Sequence, residues 1–302
     1  MGNWRTRYAL CPEDMVAYGS LVSWSEPPNP PISIMKAKLV SLALAAVCMT
    51  AVQLHSQQHP TPVYHQSLAY VKTQQGKGNE YVQFARETTM KMAQLRADAG
   101  EIVSWTLLQS VYPAGQEARA NYLISTIYEG APRPAQARAR VEENLKKAGV
   151  QLKIDEFYAK RDSLSSLVAM ELWRPRNRVA APQKGHYLFL NMMKVRDAAA
   201  YIEFEDKMWR PLAEEWVKQG AMSGWIFATK VLPAGTETPY SAYSADMFPT
   251  WEAAFAARST QSAFEKVHKG KNYQEFAGSF QKLRDLARRE LWVVVERVEK
   301  KK

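Results

Sequence analysis

Residues 201–235 read YIEFEDKMWRPLAEEWVKQGAMSGWIFATKVLPAG, and residues 81–115 read YVQFARETTMKMAQLRADAGEIVSWTLLQSVYPAG. Laid over one another at a spacing of 120 residues, without a gap, they agree at nine of 35 positions. The matches are Tyr81/Tyr201, Phe84/Phe204, Ala93/Ala213, Gly100/Gly220, Trp105/Trp225, Val111/Val231 and the turn Pro113-Ala114-Gly115/Pro233-Ala234-Gly235. Average residue usage of roughly 5–7% per type gives about two matches by chance. The chain is therefore built from a repeated unit, and every other segment has to be read within it.

A second repeated block lies downstream, with the spacing now 119. Residues 156–179 and 275–298 agree at nine of 24 positions: Glu156/Glu275, Phe157/Phe276, Leu164/Leu283, Leu167/Leu286, Glu171/Glu290, Leu172/Leu291, Trp173/Trp292, Arg178/Arg297 and Val179/Val298. One deletion between the blocks reconciles the two spacings, so each unit is about 120 residues long. Within a unit, periodicity predicts a strand (67–73, then 187–195) and an amphipathic helix ending before Gly100 or Gly220. Asn79 and Asp197 stand where N-caps are expected. Two strands follow in each unit (102–111 and 120–128, then 225–232 and 240–247). Two helices come next (135–148 and 154–167, then 251–267 and 273–289). A closing strand ends near Trp173 in the first unit and covers 291–298 in the second. Strand–helix–strand–strand–helix–strand is the ferredoxin-like, split βαβ order. Such a sheet carries helices on one face only, and a tandem copy can cover the other.

The ends read differently. Residues 1–34 show neither helical nor strand period and hold a proline cluster, so they are read as an irregular extension ahead of an effective start at Met35. Lys36 and Lys38 then precede a 14-residue apolar run over 39–52 and a polar exit. That is the pattern of a signal peptide over 35–56, and the run is short for a membrane span of about 20 residues. Val47 stands where a small residue should precede a lipidated Cys48. Repeat 1 is placed at 60–180 and repeat 2 at 181–302. Both cysteines, Cys11 and Cys48, precede the expected cleavage, so the exported chain needs no disulfide and has no thiol chemistry. The formal charge of +10 is spread along the chain. A nucleic-acid surface would gather it into a stripe on a recognisable module, so no nucleic-acid partner is expected.

The helix with Glu205 and Trp209-Arg210-Pro211, the Gly224-Trp225 strand and the Pro233-Ala234-Gly235…Tyr240 hairpin resemble those of uncharacterised secreted bacterial members of the dimeric α/β-barrel superfamily. The resemblance is to its fused form and covers residues 64–299. The first half departs from it, with Thr89 and Lys91 where Trp209 and Pro211 stand. It implies an α+β fold: two tandem ferredoxin-like repeats packing sheet to sheet as a pseudo-dimeric α/β barrel. The superfamily holds haem-binding enzymes, cofactor-free monooxygenases, isomerases and proteins without known activity, so the fold leaves function open. No cofactor is read from the residues. The resemblance leaves haem open, with His268 as its axial ligand.

The candidate ligand-binding residues are Trp225, Tyr201, Glu205, Trp209 and His186. Trp225 shares a strand face with Phe227 and Val231, and Trp105 with Leu107 and Val111. Such a face either walls a cavity inside the barrel or fills the helix–sheet core, and repetition favours the core. Tyr201 and Phe204 stand at core spacing, and a buried Tyr201 hydroxyl needs a partner. Glu205 shares a helix face with Trp209, Leu212 and Trp216, where a carboxylate beside indoles would have its pKa raised. Pro211 inside a helix removes a backbone bond and bends the element. No histidines are spaced as a metal-ligand pair, and no phosphate loop or nucleophile elbow occurs. Catalytic residues are therefore unassigned.

Three functions fit: an exported barrel protein binding a small apolar ligand in the second repeat, a cofactor-independent monooxygenase- or isomerase-like enzyme, or a protein-interaction module. The expected partners are a small apolar molecule and no stable membrane anchor after signal cleavage. The assembly is a monomeric pseudo-dimer or a homo-oligomer. Expression of the natural gene should yield a periplasmic or extracellular protein whose sequenced N-terminus lies near Ser56. Intact protein retaining residues 1–50 in the cytoplasm would refute export.

Overall fold

The computed structural model describes residues 62–115, 118–132 and 138–301. The extension over 1–34, the signal peptide over 35–56, both cysteines and His59 lie outside the described residues. The first half runs β1 (Tyr64–Thr73), α1 (Gly78–Glu87), α2 (Thr89–Asp98), β2 (Ser104–Tyr112), β3 (Tyr122–Glu129), α3 (Arg138–Lys147), α4 (Ile154–Leu164) and β4 (Ser165–Val179). The second half opens with β5 (Tyr187–Val195), α5 (Ala198–Phe204), a π-helical turn (Glu205–Trp209) and α6 (Arg210–Lys218). It continues through β6 (Gly224–Leu232), β7 (Ala242–Phe248), α7 (Trp251–Phe255), α8 (Thr260–Val267), α9 (Tyr273–Leu283) and β8 (Arg284–Glu299). None of the described helices is long and apolar enough to cross a membrane.

The strands close into one barrel in the order β1-β3-β2-β8-β5-β7-β6-β4. Each half supplies a four-stranded sheet (β4-β1-β3-β2 and β8-β5-β7-β6), and the pairs β2·β8 and β4·β6 join them. The protein is thus α+β, two tandem ferredoxin-like repeats forming a pseudo-dimeric α/β barrel. The repeat extends to irregularities of the ladder. β4 carries an extra residue at Arg176, between Pro175 and Asn177, where β6 passes directly from Ala228 to Phe227. β8 carries one at Val295, the same position 119 residues on, where β2 passes from Leu108 to Leu107.

Apolar residues divide into three cores. Inside the barrel, Leu68, Leu108, Trp173, Leu190, Ile226 and Trp292 meet from both halves. Outside it, α1, α2 and α4 bury Tyr81, Phe84, Met92 and Phe157 against Trp105 and Leu107. The second-half helices bury Tyr201, Phe204, Leu212 and Phe276 against Trp225 and Phe227. Trp105 and Trp225 therefore fill the helix–sheet cores and do not wall the barrel interior. Gly224 is required beside Trp225, because a Cβ there would stand 2.9 Å from the Val179 carbonyl oxygen of β4.

Several predicted boundaries move. The closing strands begin at Ser165 and Arg284, not near residue 168 and at 291, so the helices expected over 154–167 and 273–289 stop early. Residues 284–290 are rich in helix formers, but their backbone pairs with β5 from Val195↔Arg284 onward, and the ladder overrides propensity. The helix expected to end before Gly100 breaks at Thr88, with φ −127° and ψ −80°. Its first segment begins at Gly78, and Asn79 does not cap it. Asp197 does cap α5, accepting from the Ala200 amide. The helix expected over 251–267 is two, and Thr250 and Ser259 cap them. Pro211 is accommodated by the π-helical turn before α6, which opens the coil ahead of a residue that cannot donate to the preceding turn.

Replacing Trp105 or Trp225 by Leu should destabilise the protein by a similar amount, about 2–4 kcal/mol as for large core truncations. Urea unfolding measures this, and a loss below about 1 kcal/mol at either site would contradict tight packing on that face.

Candidate functional site

Tyr201, Glu205, Trp209 and Trp225 converge in the helix–sheet layer of the second half. Tyr201 and Glu205 are one turn apart, and the Tyr201 hydroxyl donates a short hydrogen bond to Glu205 Oε1. The π-helical turn begins at Glu205 and points it at the sheet, where it is 2% exposed. Asp246 of β7 stands opposite Trp225 of β6 in the ladder. Asn191 Nδ2 donates to Asp246 Oδ2 at 3.0 Å, and Arg289 Nε donates to Asn191 Oδ1 at 2.6 Å. Trp225 Nε1, Glu205 Oε2, Asp246 Oδ1 and Arg284 Nε are buried and make no hydrogen bond among the described residues. Trp209 packs on Trp216, Phe280 and Phe276 with ring centroids 5.7, 5.2 and 6.2 Å away.

Burial pushes the Glu205 carboxyl up to about 7, against the Tyr201 hydrogen bond and Arg284, with Asp246 adding to the rise. Burial also raises Asp246, and burial followed by the Glu205 charge raises the Tyr201 hydroxyl. The first half has no counterpart. Its equivalent positions hold Ala85, Thr126 and Ser165 where the second half has Glu205, Asp246 and Arg284. His186 stands apart from the other four candidates. Its Nδ1 meets Ser223 Oγ at 3.0 Å and accepts from the Gln183 amide at 3.2 Å, and burial lowers its pKa.

The barrel interior is a second site, and its residues come from the other repeated block. Glu171-Leu172-Trp173 of β4 and Glu290-Leu291-Trp292 of β8 occupy equivalent places. Each indole donates to the carboxylate two residues before it, at 3.2 and 3.0 Å. Trp292 borders an apolar cavity of about 60 Å³ to which all eight strands contribute, among them Leu68, Leu108, Leu190, Ile226 and Ala245. Arg178 and Arg297 line its outer end. Beyond them a mouth of about 300 Å³ adjoins it through Ile127, Arg178 and Ile226. At the opposite end Glu171 accepts from Tyr240 at 2.8 Å and from Lys230 at 3.1 Å, and Arg119 Nη1 donates to the Tyr240 hydroxyl at 3.1 Å. Lys230 also lies 3.7 Å from the centre of the Tyr240 ring. Burial lowers its pKa, opposed by Glu171. Ser110 and Ala120 replace Lys230 and Tyr240 in the first half, so this cluster too is one-sided.

Sequence reasoning passed over Glu171, Trp173, Arg178, Glu290, Trp292 and Arg297 as candidates, although each is an identical repeat position. Their signal was a Glu and a Trp two residues apart in one strand, which marks a single face. His268 does not suit an axial haem ligand. Its Nε2 is bonded to the Met208 carbonyl at 2.9 Å, and its ring packs on Phe264 with centroids 5.0 Å apart. Among the described residues no group of three or more His, Cys, Asp or Glu side chains is placed to hold a metal ion.

No protein-family model matches the sequence, and no curated protein matches it. Solved structures share its general shape. A candidate monooxygenase from Lactobacillus acidophilus NCFM aligns at 12% identity over 79% of this chain and 96% of its own, with a TM-score of 0.45. An anthrone oxidase-like protein aligns at 10% identity over 79% and 93%, also at 0.45. A mutant chlorite dismutase from Candidatus Nitrospira defluvii aligns at 8% identity over 79% and 94%, at 0.41. Likeness of this order transfers no activity or residue role to the chain.

The Glu205 environment has a pH consequence. The folded carboxyl titrates at about 7 against an ordinary 4.5, so between those values the folded chain holds a proton that the unfolded chain has lost. Stability therefore falls as pH rises through that window, by about 3 kcal/mol for this group. Glu205→Gln still accepts from Tyr201 but cannot ionise. It should gain on the wild type by that order between pH 5 and pH 8 in urea titrations, and parallel pH profiles would contradict the assignment.

Proposed function

We propose that the protein is exported and binds a small apolar molecule inside the barrel. The observation that carries this reading is the interior cavity, apolar in its depth, built by all eight strands and open at an end lined by basic residues. Small-molecule sites have this composition, mostly apolar walls with a few placed polar groups. Three of the polar groups within it, Gln66, Ser125 and Tyr243, are already engaged with one another: Gln66 Nε2 donates to Ser125 Oγ at 2.7 Å, and the Tyr243 hydroxyl donates to Gln66 Oε1. They favour an apolar occupant over one needing internal hydrogen bonds. The ligand thereby sits between the two repeats, one sheet face away from Trp225, Tyr201, Glu205 and Trp209. Export rests on the basic residues and apolar run ahead of residue 56.

A second reading makes the protein a cofactor-independent acid–base enzyme. Its support is the Tyr201–Glu205 pair, with a carboxyl titrating near neutrality and unbonded polar atoms of Trp225, Asp246 and Arg284 around it. Titration calorimetry with 1-octanol separates the two. Wild type should bind it, Ala245→Leu should abolish binding by filling the cavity, and Tyr201→Phe should leave binding unchanged. Both variants are first checked for an unaltered fold. Absence of binding to wild type, or loss in Tyr201→Phe alone, would overturn the barrel site.

A further inference from the structure

We infer that the molecule held in the barrel is an apolar carboxylic acid, with its carboxylate gripped between Arg178 and Arg297 at the cavity mouth. This deepens the barrel-binding reading and rests on it.

The argument begins with the strand geometry. Trp173 and Trp292 point into the barrel, and strict alternation would turn residues 178 and 297, five positions on, to the helix side. The extra residue at Arg176 in β4 and at Val295 in β8 reverses the alternation. Both arginines consequently line the cavity, while the next residues, Val179 and Val298, pack against the helices. Bulges re-aim side chains in this way, and they do so twice here at equivalent positions.

The two cations are brought together at a cost. Arg297 is largely buried, its side chain 12% exposed, and burial together with the nearby Arg178 weakens its hold on a proton, opposed by Glu299. Arg297 Nη1 donates to Thr106 Oγ1 at 2.9 Å, and its Nη2 meets Glu299 at 3.2 Å. No carboxylate among the described residues lies within ion-pair distance of Arg178. Arg176, in the wall of the mouth, donates its Nε to Thr229 Oγ1 at 2.9 Å. Arg176 and Arg178 thus line the mouth and Arg297 the cavity behind it, with Glu299 paired to Arg297 alone. An anionic head offsets that repulsion, and paired N–H donors of guanidinium match the two oxygens of a carboxylate. The apolar body then occupies the cavity past Leu188, Ile226 and Trp292.

Octanoate and 1-octanol test the inference, because they share a chain length and differ in the head group. By titration calorimetry at low salt, wild type should bind octanoate at least about tenfold more tightly than 1-octanol, the range of a charge-assisted hydrogen bond. Arg178→Met should erase that preference while retaining 1-octanol binding. Its unfolding midpoint without ligand should not fall, since a like charge has left the neighbourhood of Arg297. Arg178→Lys keeps the charge but loses the fork and should retain only part of the preference. Equal binding of acid and alcohol by wild type, or an octanoate preference that survives Arg178→Met, overturns the clamp and leaves the apolar site standing. Binding of neither compound removes the barrel-site reading itself, and the clamp with it.

Discussion

Everything in this molecule depends on how two open-edged sheets close each other. A four-stranded ferredoxin-like sheet with helices on one face has a second apolar face to cover and two edges with unpaired backbone groups. The tandem copy meets both needs at once. Pairing β2 with β8 and β4 with β6 removes the outer edges, and bending the two sheets into a ring buries their helix-free faces together. The strands that end each half make closure work. At 15 and 16 residues, β4 and β8 are long enough to pair with their own sheet along the first part and with the other half along the second. The bulges at Arg176 and Val295 lie in that second part, where the strand changes partners and must also bend. Each strand has a further irregularity in its first part, at Val168 and Ala287.

Closure gives each strand two faces with different solvents. The outward face sees helices and is packed with aromatic rings, including Trp105 and Trp225. The inward face sees the other half, and there the indoles of Trp173 and Trp292 each hold a carboxylate. Burying Glu171 beside Lys230 is tolerated because the carboxylate also accepts from Tyr240 and Trp173, so its desolvation is met by several donors. The cavity between these paired groups and the arginine-lined mouth is the part of the interior that side chains leave open.

Duplication also allowed the halves to diverge. The second-half helix layer carries Glu205, Asp246 and Arg284 where the first has Ala85, Thr126 and Ser165, and its helix passes through a π-helical turn where the first breaks at Thr88. A repeat that keeps only its packing residues can act as scaffold, which frees its partner to hold ionisable groups at a cost in stability. The barrel interior is mixed in this respect: its arginines and indoles are repeated, whereas Lys230 and Tyr240 belong to the second half alone.

The sequence by itself determined the repeat, its length, the order of elements and hence the α+β barrel. Identical residues at a fixed spacing, and the periods of two and 3.6, survive any tertiary arrangement. It also determined that Tyr201 and Glu205 share a helix face, since that follows from local geometry alone. Only the tertiary structure decided which face of each strand lies inside. A strand's alternation is the same whichever side meets the core, so Trp225 and Trp173 were equally eligible for the interior, and only strand pairing placed Trp173 there. Tertiary pairing likewise turned residues 284–290 from expected helix into strand, because the ladder to β5 outweighs their helical propensity. The inward aim of Arg178 and Arg297 was decided there too. It depends on the extra residues at Arg176 and Val295, which show as bulges only when the opposing strand is in place.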